Sequence, residues 1–173
     1  GWNTPLAPIQ LLWLNLVTDC RPGLALGTEK GDPDIMQHPP RPSEEPIINR
    51  YMVKGIIVQT IAITAVTLVA FFLGGGALEG ASVEARILSE TFAFVTLSLS
   101  ELFRAYTARS EYYPLTKIGI FTNKNMNLAV LVSVILILFV IYVPFLQVIF
   151  DTVSLRWIDW AELLPLVLIP SIA

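Results

Sequence analysis

Four long apolar runs, separated by polar stretches, set the pattern of this chain. They cover about Leu6 to Leu26, Gly55 to Leu73, Ile87 to Tyr106 and Met126 to Phe150. Each is close to the roughly 20 residues that a helix needs to cross a bilayer. A last run, Ala161–Ala173, is too short to span and reads as the first half of a fifth helix. The predicted fold class is all-α: a polytopic transmembrane helix bundle of four full spans plus a truncated fifth. The abrupt opening at Gly1, just ahead of a membrane helix, and the unfinished last run are those of a fragment of a larger protein.

The polar stretches give the orientation. Loop 27–54 is punctuated by Gly27, Gly31, Pro33, Pro39, Pro40, Pro42 and Pro46, so no long helix runs through it. It carries Lys30, Arg41, Arg50 and Lys54; loop 107–125 carries Arg109, Lys117 and Lys124. The two other connections hold only Arg86 and Arg156. Basic residues concentrate on the cytoplasmic side, so loops 27–54 and 107–125 are expected there, and the first span runs inwards. Gly74-Gly75-Gly76 ends the second span, and Trp157 and Trp160 in the turn 151–160 suit a membrane interface.

Composition agrees. Of 173 residues, 54% are hydrophobic and 14% charged, against about 25% charged in soluble domains. A single cysteine, Cys20, excludes a disulfide framework and any multi-cysteine metal site. There is no nucleic-acid signature, no phosphate-binding glycine loop and no internal repeat. Short loops without targeting tails favour a bacterial plasma membrane.

The chemistry concentrates in the first span. Asn15, Thr18 and Asp19 stand at i, i+3 and i+4, on one face of an α-helix. An ionisable group at that depth usually marks an ion or proton pathway. Pro22 has no N–H, which leaves the carbonyl of Thr18 without its helical partner. Carboxylate, amide, hydroxyl and carbonyl form an all-oxygen set, suited to calcium or magnesium and poor for zinc or copper.

Plainer readings stand beside this one. Asn15 and Thr18 could simply hydrogen-bond between packed helices. Arg21 points about 200° away from Asp19 on an ideal helix and can snorkel to the surface. Glu101, near the end of the third span, could be solvated, paired with Arg104, or a ligand brought by a second helix. Glu90 reads as interfacial, Gln59 as an inter-helix hydrogen-bonder, Cys20 as a small buried residue and His38 as solvated.

The stretch Pro8-Ile9-Gln10-Leu11-Leu12-Trp13-Leu14-Asn15-Leu16-Val17-Thr18-Asp19, followed by Ala25-Leu26-Gly27 and by Asp34-Ile35-Met36-Gln37-His38-Pro39-Pro40-Arg41, resembles the sixth membrane helix and next loop of P-type calcium-transporting ATPases. The type resembled is the endoplasmic-reticulum and Golgi pumps and their bacterial relatives. Later spans resemble the seventh to ninth helices, and the tail the start of the tenth, so residues 1–173 correspond to the C-terminal membrane domain. The resemblance implies an ATP-driven pump phosphorylated on an aspartate. It implies calcium ligands at Asn15, Thr18 and Asp19, with Glu101 matching a glutamate of the eighth helix. It further implies magnesium-ATP bound in domains absent from this chain, and those domains, the remaining membrane helices and the lipid bilayer as partners. Cys20-Arg21 departs from the family, where a small residue and an apolar one precede the proline; one calcium, with Arg21 or protons balancing charge, fits that departure. Rivals are a sodium/potassium or proton pump, and a non-catalytic membrane scaffold.

Overall fold

Prolines and glycines decide where the helices begin and end. A computed structural model describes residues 1–31, 34–37, 39–40, 42, 44, 46, 48–110, 115–119 and 121–172, with 35, 51, 115, 116, 171 and 172 described by backbone alone. His38 and Arg41 lie outside the described residues.

The described residues form an all-helical fold, as expected, with one isolated antiparallel bridge between Trp2 and Leu78. Helix α1 (Pro8–Leu14) opens on a proline, whose missing N–H costs nothing in a first turn. The chain then winds as a π-helix through Asn15–Asp19 and resumes as α2 (Cys20–Leu26). A short 3-10 turn, Ile35–Gln37, lies in the polar loop. Helix α3 (Arg50–Leu73) starts five residues ahead of the predicted span, because Asn49 caps it by accepting from the N–H of Met52 at 2.8 Å. Helix α4 (Val83–Thr107) is capped by Ser82. A four-residue α5 (Leu115–Ile118) precedes α6 (Lys124–Tyr142), capped by Asn123.

The fourth predicted span is not continuous. It ends at Tyr142, Val143 is extended, and Pro144 opens a separate α7 (Pro144–Phe150). The proline ring clashes with a helical residue before it, so the break falls one position upstream of Pro144. The turn 151–160 is shorter than expected: α8 (Trp157–Ile172) starts at Trp157, where Asp159 accepts from the N–H of Arg156 at 2.7 Å.

Helix α4 is the hub. Its residues from Ser89 to Ser100 are buried almost without interruption, and Phe92, Phe94, Val95, Leu99 and Leu102 share a core with Leu14, Ile137, Val140, Leu163 and Val167 of other helices. Its neighbour α3 returns through three glycines. The N–H of Gly76 donates to Ser89 Oγ at 2.7 Å, and a Cβ on Gly76 would meet the Ala85 carbonyl oxygen at 2.3 Å. The N-terminus stitches the same corner, Asn3 donating from its backbone to Ala77 O at 2.9 Å.

Two helices, Met52–Leu73 and Lys124–Tyr142, are long and apolar enough to cross a bilayer by composition, yet only 28% of each is buried within the chain. Their outer faces carry Ile56, Ile57, Ile61, Leu128, Leu131 and Phe139. A soluble monomer rarely exposes so much contiguous apolar surface; lipid or further helices would cover it.

Candidate functional site

The π-helical segment carries three of the four expected ligands. In an i→i+5 winding each residue turns through a smaller angle than in an α-helix, so i, i+3 and i+4 no longer stack on one face. Thr18 turns inward and is buried, whereas Asn15 and Asp19 are exposed.

The segment's irregular carbonyls are taken up by side chains. Thr18 Oγ1 lies 2.7 Å from Leu14 O, Cys20 Sγ donates to Asn15 O at 3.3 Å, and Ser133 Oγ on α6 donates to Val17 O at 2.8 Å. The carbonyl of Val17, five residues before Pro22, is thus satisfied by a neighbouring helix. Cys20 also departs from expectation: it is exposed, beside Asp19.

Thr18 brings Glu101 to the segment. Its hydroxyl lies 2.9 Å from Glu101 Oε2, and the single hydroxyl hydrogen can serve that oxygen or Leu14 O. Glu101 is half-buried and close enough to Asp19 for the two carboxylates to feel each other's charge. Among the described residues no ion pair joins Glu101 to Arg104, or Asp19 to Arg21. Glu90, expected at an interface, is buried towards the other end of α4, 3.8 Å from Arg86 Nε.

Chemically, the arrangement offers an amide oxygen, a hydroxyl and two carboxylates from two helices. All are hard oxygen donors of the kind calcium takes, six to eight at a time in most sites. Among the described residues, no group of three or more His, Cys, Asp or Glu could hold a metal. The set is thus open on the Asn15–Asp19 side and short of ligands.

Three structural residues escaped the sequence reading. Gln10 is fully buried; its side chain accepts from the N–H of Ala7 and donates to Phe150 O at 2.9 Å, tying α1 to α7. Glu29 and Arg109 form a two-point pair, with Arg109 Nε and Nη2 donating to the two carboxylate oxygens at 2.9 and 2.8 Å. Arg109 also donates to Gly119 O at 2.8 Å and Thr122 Oγ1 at 2.6 Å, and Asn123 donates to Glu29 at 2.7 Å. This knot joins the end of α2, the segment after α4 and the start of α6. The Arg109 guanidinium holds the Glu29 carboxyl below the usual carboxylate range, with Asn123 acting the same way and burial opposing.

The family described as "Cation transporting ATPase, C-terminus" matches residues 3–173. The chain is 36% identical to Calcium-transporting ATPase 1 of Bacillus cereus over 99% of its own length and 20% of that protein. It is 35% identical to Calcium-transporting ATPase of Bacillus subtilis, over 96% of this chain and 18% of the other. It is 34% identical to Calcium-transporting ATPase type 2C member 1 of Mus musculus, over 96% of this chain and 18% of the other. The chain thus spans about a fifth of the length of these relatives.

Proposed function

The chain belongs to the cation-transporting ATPase C-terminal family, and on that premise we propose that it is the C-terminal membrane part of an ATP-driven calcium pump, supplying part of the intramembrane ion site. The observation that carries this reading is the 2.9 Å contact between Thr18 and Glu101, which gathers hydroxyl and carboxylate oxygens from two helices beside Asp19. Asn15, Thr18, Asp19 and Glu101 are the proposed ligands. The open side of the set faces where further membrane helices of the same protein would pack, and Leu12 and Leu16, 70% and 62% exposed, would be covered by them.

In this reading α3, α4, α6 with α7, and α8 are membrane elements alongside the π-broken first helix, and loops 27–54 and 107–125 face the cytoplasm. Magnesium-ATP would act in the rest of the protein. Coupling would run through the first helix: its π-turn gives a segment whose register can shift at low cost, changing access and affinity at Asp19. Relatives named for calcium transport support calcium as the ion, and Asn15 in place of a second carboxylate agrees. The two Bacillus relatives favour a bacterial plasma membrane, although the mouse relative shows that the sequence type is not confined to bacteria.

The test is Asp19→Asn in the intact protein. Calcium-dependent phosphorylation by ATP should be abolished. Normal calcium dependence in that variant would defeat the assignment, and activation by sodium, potassium or protons in place of calcium would transfer the site to a different pump.

A further inference from the structure

A concentration of positive charge lies away from the proposed ion site. A cleft of about 520 Å³ sits between the end of α2, the segment after α4 and the start of α6. Among the described residues, four cations, Lys30, Arg109, Lys117 and Lys124, line it with one acid, Glu29. Four minus one is a formal +3, in a chain whose net charge is −3.

The one acid is already engaged. Both oxygens of Glu29 accept from Arg109, and one of them also accepts from Asn123. Among the described residues no ion pair joins Lys30 or Lys124 to a carboxylate. Lys124 is the first residue of the 19-residue α6, so the positive end of that helix adds to the same field. The Glu29–Arg109 pair therefore works as a strut that fixes the wall, while Lys30 and Lys124 supply charge that no described carboxylate pairs. On the membrane reading, the cleft lies at the ends of three membrane elements, where phospholipid head groups would sit. Basic pockets between membrane helices on the cytoplasmic side are suited to anionic head groups.

We propose that this cleft binds a phosphate group, with Lys30 and Lys124 as its principal contacts and the Glu29–Arg109 pair holding it open. The same chemistry is offered by an acidic phospholipid and by free phosphate, and the experiment separates them. The proposal rests on the membrane reading only for the lipid source, and no readout in it depends on transport.

The intact protein is purified in detergent, and its thermal unfolding is followed while three probes are titrated. These are dioctanoyl phosphatidylglycerol, dioctanoyl phosphatidylcholine and inorganic phosphate. The acidic lipid should raise the midpoint saturably and the zwitterionic one should not. Lys30→Gln/Lys124→Gln should weaken half-saturation by about tenfold or more, from two lysines near a charged head group. Lys54→Gln, in the second turn of α3 and outside the cleft, should change it less than about twofold. A lysine-dependent shift with inorganic phosphate alone assigns the site to free phosphate; a shift with the lipid only assigns it to a head group. Should the double variant unfold during purification, the exposed Lys30→Gln alone carries the test, with about threefold expected. No saturable shift with either anion, a shift untouched by the lysine changes, or an equal loss in Lys54→Gln overturns the proposal.

Discussion

Thr18 and Glu101 stand 83 residues apart in sequence, and their side-chain oxygens are 2.9 Å apart. That contact couples the π-helical segment to the most buried helix of the fold. Removing the hydroxyl with Thr18→Val leaves Glu101 without its partner from the first helix. Inter-helix hydrogen bonds in membranes contribute about 1 kcal/mol, so apparent calcium affinity should fall about fivefold or more. Thr18→Ser keeps the oxygen and should stay near the parent. The check is the calcium dependence of phosphorylation by ATP; equal affinities for the valine and serine variants would remove Thr18 from the site.

Truncating one half of the Glu29–Arg109 pair should be costly, because the Arg109 side chain is 0% exposed and would lose both of its charge-assisted hydrogen bonds to Glu29. Glu29→Ala is expected to lower stability by about 3 kcal/mol. Combining it with Arg109→Met should recover part of that loss, since the buried guanidinium that Glu29 balances is gone. Thermal or denaturant unfolding of the four members of this cycle measures it, and a double variant worse than the sum of the singles contradicts the argument.

The same pair sets a pH response. Arg109 holds the Glu29 carboxyl below its ordinary value in the folded protein. A depressed folded value means that its stabilisation is fully present above the unfolded glutamate value, about 4.3, and is lost as pH falls through the lower folded value. The stability difference between the parent and Glu29→Gln should therefore be flat from neutral pH down to about pH 5 and shrink below about pH 4. A difference that vanishes between pH 6 and 7 would point to another group.

Two glycines should respond with opposite signs. A Cβ on Gly76 would lie 2.3 Å from the Ala85 carbonyl oxygen and 2.4 Å from Arg86 Cα, backbone atoms that cannot step aside. Gly76→Ala should destabilise the α3–α4 hairpin by about 1–3 kcal/mol or more. Gly55 lies inside α3 with nothing within 4 Å of an added Cβ, so Gly55→Ala should stabilise by up to about 1 kcal/mol. Unfolding midpoints of the two variants decide it.

Much of this was legible in the sequence where the signal is local. Apolar runs located the helices, and Asn15, Thr18 and Asp19 stood out as polar groups in an apolar run. Glycines 74–76 marked a helix end, although their close approach to α4 was hidden. Pro144 was a local signal passed over: its position inside an apolar run hid the break at Val143. The π-turn was not legible: within it the Val17 carbonyl is taken by Ser133 of α6, 116 residues away. Glu29 and Arg109 looked like ordinary loop charges, since nothing in either neighbourhood signals a partner 80 residues distant.

By itself the sequence determined the all-helical class, the membrane character and the oxygen donors of the first helix, because hydrophobic period and helix-breaking chemistry act within a few residues. Tertiary structure decided which donors face each other: Thr18 towards Glu101, Asn15 and Asp19 towards an open side. It also decided that α4, and not the segment carrying the donors, forms the centre of the core. Those outcomes follow from helix–helix packing, in which a side chain's partner is fixed by the shape and hydrogen-bonding needs of another helix and not by its own neighbours along the chain.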